Sequence, residues 1–307
     1  MQPNPSPKTA VVIAGGSGIG AAVVRELSAS GYRVAALSPS GSAKELAESL
    51  GGVGLAGSNR SAGDLQAIVE LALAEFGRID TVVNGSGHGA SGPVLQITDE
   101  QWEDGMNAFL MNVVRMARII TPHFEAAGGG TIVNISTSSP FEPNPRYPVS
   151  ATFRAALASF TKLYTDEYGP AGIRMNNVLP GFTKEDPSTV QPEWTQRIPL
   201  RRAAAATEVA RVVRFLASEE SSYMTGQNVR VSAAARISRC SPSTSRLPGS
   251  TCGAAQHRYS SVASERSEAS FSMGLHALAS SSLRWKALCA FCQAGSTWSG
   301  SAAERNV

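Results

Sequence analysis

Two short stretches carry side chains whose types and spacing suit chemistry. The first, AVVIAGGSGIGAAVV (10–24), is a β-branched run, a turn holding Gly15, Gly16, Gly18 and Gly20, and then a helix-forming segment. Lacking Cβ atoms, these glycines let the chain turn sharply, and with Ser17 and Ile19 they offer backbone N–H groups to a pyrophosphate at a helix N-terminus. The second stretch, RYPVSATFRAAL (146–157), spaces Tyr147, Ser150 and Arg154 so that a continuous helix would bring all three to one face. That face would offer a phenol, a very weakly acidic hydroxyl and a guanidinium that keeps its proton near neutral pH. Pro148, however, favours the first turn of a helix, which leaves Tyr147 at the cap and free to point elsewhere. His88 follows a small-residue loop and is a further acid/base candidate; His123 reads as structural.

The elements that must position these groups alternate in type. AVVIAG (10–15), YRVAALS (32–38), VGLAG (53–57), DTVVNG (80–85), TIVNIS (131–136), RMNNVLPG (174–181) and NVRV (228–231) read as strands. Between them, LQAIVELALAEF (65–76) and EVARVVRFLAS (208–218) repeat apolar residues at i, i+3 and i+4, as amphipathic helices do. Such alternation predicts an α/β fold, a Rossmann-type doubly wound parallel sheet in a single domain spanning 9–231. Ligands would bind beyond the carboxyl ends of its strands. Residues 1–8 are expected to be a disordered leader. From Ser232 the texture turns to Ser, Arg and Pro without periodicity, which predicts a low-complexity, disordered tail over 232–307.

Composition excludes several classes. The chain's formal charge is +3, but residues 232–307 hold eight Lys/Arg against three Asp/Glu, so the body is slightly acidic and no nucleic-acid binder. No apolar run is long enough to cross a bilayer, and no signal peptide is evident at the N-terminus. A cytoplasmic protein without membrane or nucleic-acid partners is expected. Cys240, Cys252, Cys289 and Cys292 all lie in the tail, and the lone Cys289–Cys292 pair, without a second ligand pair, is read as incidental; no metal site is expected.

Taken together, the glycine loop, FGRIDTVVNGSG (76–87), GGTIVNIS (129–136), VLPGF (178–182) and VARVVRFLASEESSYMTGQNVRV (209–231) resemble the short-chain dehydrogenase/reductase family. The resemblance spans residues 9–231. It implies an oligomeric NAD(P)-dependent oxidoreductase that transfers hydride to a carbonyl, or from an alcohol, of a small molecule. By position it implies cofactor contacts from the glycine loop, Ser38, Ser40, Ser58, Asn59, Asn84, Gly85, Gly87, Pro180 and Gly181. No acid follows the second strand to bond a ribose 2′-OH, and Ser38, Ser40 and Lys44 suit a 2′-phosphate, so NADP(H) is favoured over NAD(H).

The family's catalytic tetrad is altered. Its Ser falls on Thr137, its Tyr on Ser150, its Lys on Arg154 and its Asn on Phe109, with Asn107 and Asn112 nearby; the Thr that touches the carboxamide falls on Glu185. For an active enzyme, Thr137 and Arg154 would orient the substrate oxygen and the ribose, and the proton would come from Tyr147 or from water held by Ser150. Two alternatives stand beside this. One is a nucleotide-binding pseudoenzyme. The other is a non-redox halohydrin dehalogenase, which uses Ser, Tyr and Arg but lacks the glycine-rich loop kept here. Segment 182–200 would form a mobile lid. The break from TGQNVRV into SAAARISRC, where the family continues Asp-Gly-Gly, suggests a tail read in a shifted frame or fused on.

Overall fold

The computed structural model describes residues 7–233. What was expected of residues 1–6, of the tail from Ala234 onward and of its four cysteines lies outside the described residues. The strands are β1 (Thr9–Ile13), β2 (Arg33–Ser38), β3 (Val53–Ala56), β4 (Thr81–Asn84), β5 (Gly130–Ile135), β6 (Ile173–Pro180), the short β7 (Thr183–Lys184) and β8 (Ala204–Ala205), and β9 (Asn228–Val231). The helices are α1 (Gly18–Ala29), α2 (Ser42–Ser49), α3 (Ala62–Phe76), α4 (Asp99–Met106), α5 (Asn112–Ala127), α6 (Pro148–Tyr168), α7 (Pro192–Thr195) and α8 (Ala206–Ala217). Every strand read from the sequence is present to within two residues.

Seven strands form one parallel sheet in the order β3-β2-β1-β4-β5-β6-β9; β7 and β8 pair separately. Alternation along each strand feeds two cores. Val11 and Ile13 pack with Leu65, Ile68, Val113 and Phe124 under α3 and α5, while Ala10 and Val12 pack with Val23, Leu27, Val209 and Val213 under α1 and α8. Each such large side chain contributes roughly 1.5–3 kcal/mol when fully buried. Local signals place the ends of α3: the Ser61 side chain accepts from Asp64 N–H, and Gly77 stops the helix at φ 74°.

One polar row crosses this apolar sheet. Asn84, Asn134, Asn177 and Asn228 stand opposite one another in register. Each side-chain amide donates to the next Oδ1 at 2.9 Å, from Asn84 to Asn228, and Thr161 of α6 also donates to Asn177 Oδ1 at 3.0 Å. Buried amides are tolerated here because they satisfy one another.

Candidate active site

Strand order reverses between β1 and β4, and the loops that leave these strands open a crevice at the switch point. Ala14 starts the turn at φ 61°, a left-handed conformation that favours glycine. The close turn leaves no room for side chains around it: a Cβ on Gly20 would lie 2.0 Å from the Ala14 carbonyl oxygen, and one on Gly85 would lie 2.6 Å from that of Ile13. Ser17 precedes α1, but its side chain does not cap it. The first-turn N–H groups of α1, which no helical carbonyl can reach, are therefore left for an external acceptor. Positive dipole, uncapped donors and a cradle closed to Cβ atoms fit the pyrophosphate of a dinucleotide.

Next to the loop sit three serines. Ser38 is buried, and its Oγ accepts the Ala43 N–H at 3.0 Å, so its role is to tie down the start of α2. Ser40 is exposed and bonds Ser42 Oγ at 2.8 Å; Ser42 was not among the residues singled out from sequence. It belongs to the site because a Cβ on Gly16 would sit 2.2 Å from its Oγ. Lys44 lies on the same turn, 3.9 Å from Glu48.

Two candidate cofactor contacts point elsewhere. Asn59 is buried and donates to the carbonyls of Gly85 and Ala108 at 3.3 and 3.4 Å. The second carbonyl belongs to the π turn Asn107–Met111 between α4 and α5, where wider winding frees backbone groups. Asn84 is committed to the asparagine row. Their types suit a ligand, but in-register neighbours and freed carbonyls satisfy them first. Ser58 Oγ accepts Arg60 N–H at 3.2 Å, Gly87 is exposed, and Pro180–Gly181 end β6, where Gly181 N–H bonds the Val231 carbonyl.

Beyond β4 and β5 the catalytic candidates separate into a cluster and an outlier. Arg154, only 6% exposed, donates from Nη2 to Ser86 Oγ at 2.7 Å, from Nη1 to the Ile135 carbonyl at 2.8 Å and from Nε to Ser150 Oγ at 3.3 Å. Its guanidinium lies 4.7 Å from the centre of the buried Phe109 ring. Phe109 thus serves as a stacking floor for the cation. Burial pulls the guanidinium down to about 10, still charged at neutral pH. Thr137 stands two residues past Ile135, half-buried, and its Oγ1 accepts Ser139 N–H at 3.1 Å, which leaves its proton to donate.

Tyr147 is the outlier. Helix α6 begins at Pro148, and Tyr147 sits before it at φ −127°, 40% exposed, under the Arg146 guanidinium. Its hydroxyl makes no bond to Ser150 or Arg154, so the shared helical face does not form. The helix starts at Pro148, one residue too late to include it. His88, His123 and Glu185 are exposed. Among the described residues no His, Cys, Asp or Glu cluster could hold a metal ion, and no helix is long and apolar enough to cross a membrane.

The segment expected to form a lid is tied together at its base. β7 pairs with β8 and the Ala204 N–H bonds the Phe182 carbonyl, closing a loop from 185 to 203, and Trp194 of that loop stacks on Phe182 at 6.2 Å. Arg202 grips Glu208 through two bonds of 2.7 and 2.8 Å, and Glu208 also accepts Ala205 N–H. The Arg202 bond, with help from that N–H, holds the Glu208 carboxyl at about 2.

Comparison with known proteins agrees with this architecture. The family model described as enoyl-(acyl carrier protein) reductase matches residues 13–233. The oxidoreductase UcpA of Salmonella typhimurium is 31% identical over 242 residues, covering 72% of this chain and 92% of UcpA. The 3-oxoacyl-[acyl-carrier-protein] reductase FabG of Thermotoga maritima is 33% identical over 172 residues, 54% of this chain and 70% of FabG. A crystal structure of 3-ketoacyl-(acyl-carrier-protein) reductase from Brucella melitensis, complexed with NADH, superposes with a TM-score of 0.70 at 24% identity, covering 75% of this chain and 99% of that one.

Proposed function

The chain belongs to the short-chain dehydrogenase/reductase family, and on that premise we propose that it is an NAD(P)-dependent oxidoreductase acting on the carbonyl or alcohol of a small molecule. The observation that carries the reading is the uncapped α1 N-terminus in a glycine cradle at the switch point. When bound, the nicotinamide cofactor supplies or accepts the hydride.

The chain's own residues do the rest. The loop from Ala14 to Gly20 holds the pyrophosphate. Ser40 and Ser42, at the α2 N-terminus with Lys44 close by and no acid at the end of β2, take a ribose 2′-phosphate, which favours NADP(H). Thr137 and Ser150 donate to the substrate oxygen, and Arg154 behind them stabilises negative charge as it develops there. Arg154 does not release its proton near neutrality, so the proton that ends on the substrate oxygen is drawn from solvent through water at Ser150. Tyr147, turned to the surface, is left out. The halohydrin-dehalogenase reading is weakened by the intact glycine loop.

Fluorescence and thermal-shift titration of the full chain with NADPH and NADH tests the cofactor part. Saturable binding, tighter for NADPH, is expected; failure of both to bind would remove the hydride reading. Binding with no turnover across a carbonyl panel would instead support the pseudoenzyme. Size-exclusion chromatography with light scattering checks the expected homo-oligomer, and a cytoplasmic location is the matching expectation.

A further inference from the structure

Exposed apolar side chains gather on the loops that leave β4, β5 and β6. Residues 85–98, after β4, contain no Asp, Glu, Lys or Arg and expose Val94 and Leu95. The Gly92 N–H bonds the Arg146 carbonyl at 3.0 Å, which ties that loop to the next one. There Phe141 is exposed under the Arg230 guanidinium, and Arg230 is itself paired with Glu142 at 2.6 Å. After β6 come Phe182 and Trp194, 40 and 54% exposed. Large apolar side chains left facing solvent at the carboxyl ends of neighbouring strands mark the mouth of a ligand site.

Strand register places Phe182 beside the hydroxyls assigned to the substrate oxygen. Ile135 pairs with Val178, and the Ser136 N–H bonds the Val178 carbonyl, so Thr137 leaves β5 level with Pro180 of β6. The Gly181 N–H still bonds the Val231 carbonyl, and Phe182 is the next side chain beyond it.

Phe182 and Trp194 lie nearly parallel, 6° apart, with 6.2 Å between ring centres. Rings in full contact stack about 3.5 Å apart, so at this distance the two cover little of one another and most of each face stays open. The pair is not what anchors its segment: buried Ile198 and Ala203 and the Arg202–Glu208 bonds do that. Trp194 is held in place by α7, which has Pro192 in its first turn, and the Arg197 guanidinium lies over its ring at 5.5 Å. Parallel flat faces, fixed in advance and uncovered, gain contact over the whole area of a third flat ring, whereas a puckered ring meets them with only some of its atoms.

We propose that Phe182 and Trp194 form a stacking platform for a planar aromatic substituent of the substrate, so that the natural substrate is an aryl carbonyl or aryl carbinol whose oxygen is held at Thr137 and Ser150. This deepens the reading above and rests on it for the place of the oxygen. Ring binding is measured without and with nicotinamide, so the platform and the cofactor site can fail separately.

The experiment is calorimetric titration of the full chain with acetophenone and with cyclohexyl methyl ketone, its saturated counterpart, in the absence and presence of excess NADPH. Acetophenone is expected to bind at least about threefold tighter in both conditions. Trp194→Leu and Phe182→Leu, which keep an apolar side chain but remove a flat face, should each abolish most of that preference. Equal affinities in the parent, no binding of either ketone, or the full preference retained in both variants overturns the proposal. A preference that NADPH abolishes would assign the open faces to the cofactor's own ring. A variant of altered size in light scattering, with its preference unchanged, would assign them to a subunit contact; either result also overturns the proposal.

Discussion

The side chains around Arg154 make sense as a set. Arg154 is a planar cation over the Phe109 ring, and the short Ser150 side chain accepts from its Nε. Under the proposed function, such a site stabilises an oxyanion and has no phenolic proton to hand over. Accordingly, Ser150→Ala should lower kcat/KM by about 10- to 100-fold, whereas Tyr147→Phe should stay within about twofold of the parent. Steady-state kinetics on the first active carbonyl decides this, and a large loss in Tyr147→Phe would restore the phenol. A second expectation concerns Ala14. Its left-handed conformation costs roughly 1–2 kcal/mol, and glycine there would give back part of this as chain entropy. Ala14→Gly should therefore gain about 0.5–1 kcal/mol in denaturant melts.

Among the elements, the base of the expected lid segment depends on one carboxylate. Glu208 is held at about 2 rather than the usual 4.5, so the folded state prefers its charged form. The stability it lends is complete above about pH 4.5 and disappears as pH falls toward 2. At neutral pH, Glu208→Gln should expose the Ala205 amide to exchange, and the parent should come to match the variant only at the acid end. Hydrogen exchange corrected for intrinsic rates at each pH reads this; identical protection of Ala205 in both proteins at pH 7 would dismiss this role of Glu208. The π turn is the other element that sequence periodicity missed. It brings the Ala108 carbonyl to Asn59, and no apolar repeat marks a turn of five residues.

For the whole molecule, the asparagine row ties β4, β5, β6 and β9 to α6 through Thr161. Asn177 is its hub, accepting two bonds and donating one. Asn177→Leu leaves Asn134, Thr161 and Asn228 each short of a partner in an apolar layer, which should cost about 2–4 kcal/mol in chemical unfolding. A loss below about 1 kcal/mol would mean that water or rearrangement replaces the row.

The sequence by itself determined the order of strands and helices, the parallel doubly wound sheet and the place of the glycine loop. Those features rest on local patterns: alternation along Val11 and Ile13, the 3.6-residue period of Leu65, Ile68 and Ala72, and glycine where a turn leaves no space. It also flagged Ser150 and Arg154 as the seat of altered chemistry. Only the tertiary structure decided where polar side chains send their hydrogen bonds. Asn59 and Asn84 turn inward, Ser38 braces a helix, Ser42 joins the cofactor mouth, and Ser86 meets Arg154 across 68 residues of chain. A hydrogen bond takes whichever partner packing brings within about 3 Å, and contacts that distant in sequence leave no periodic trace in it.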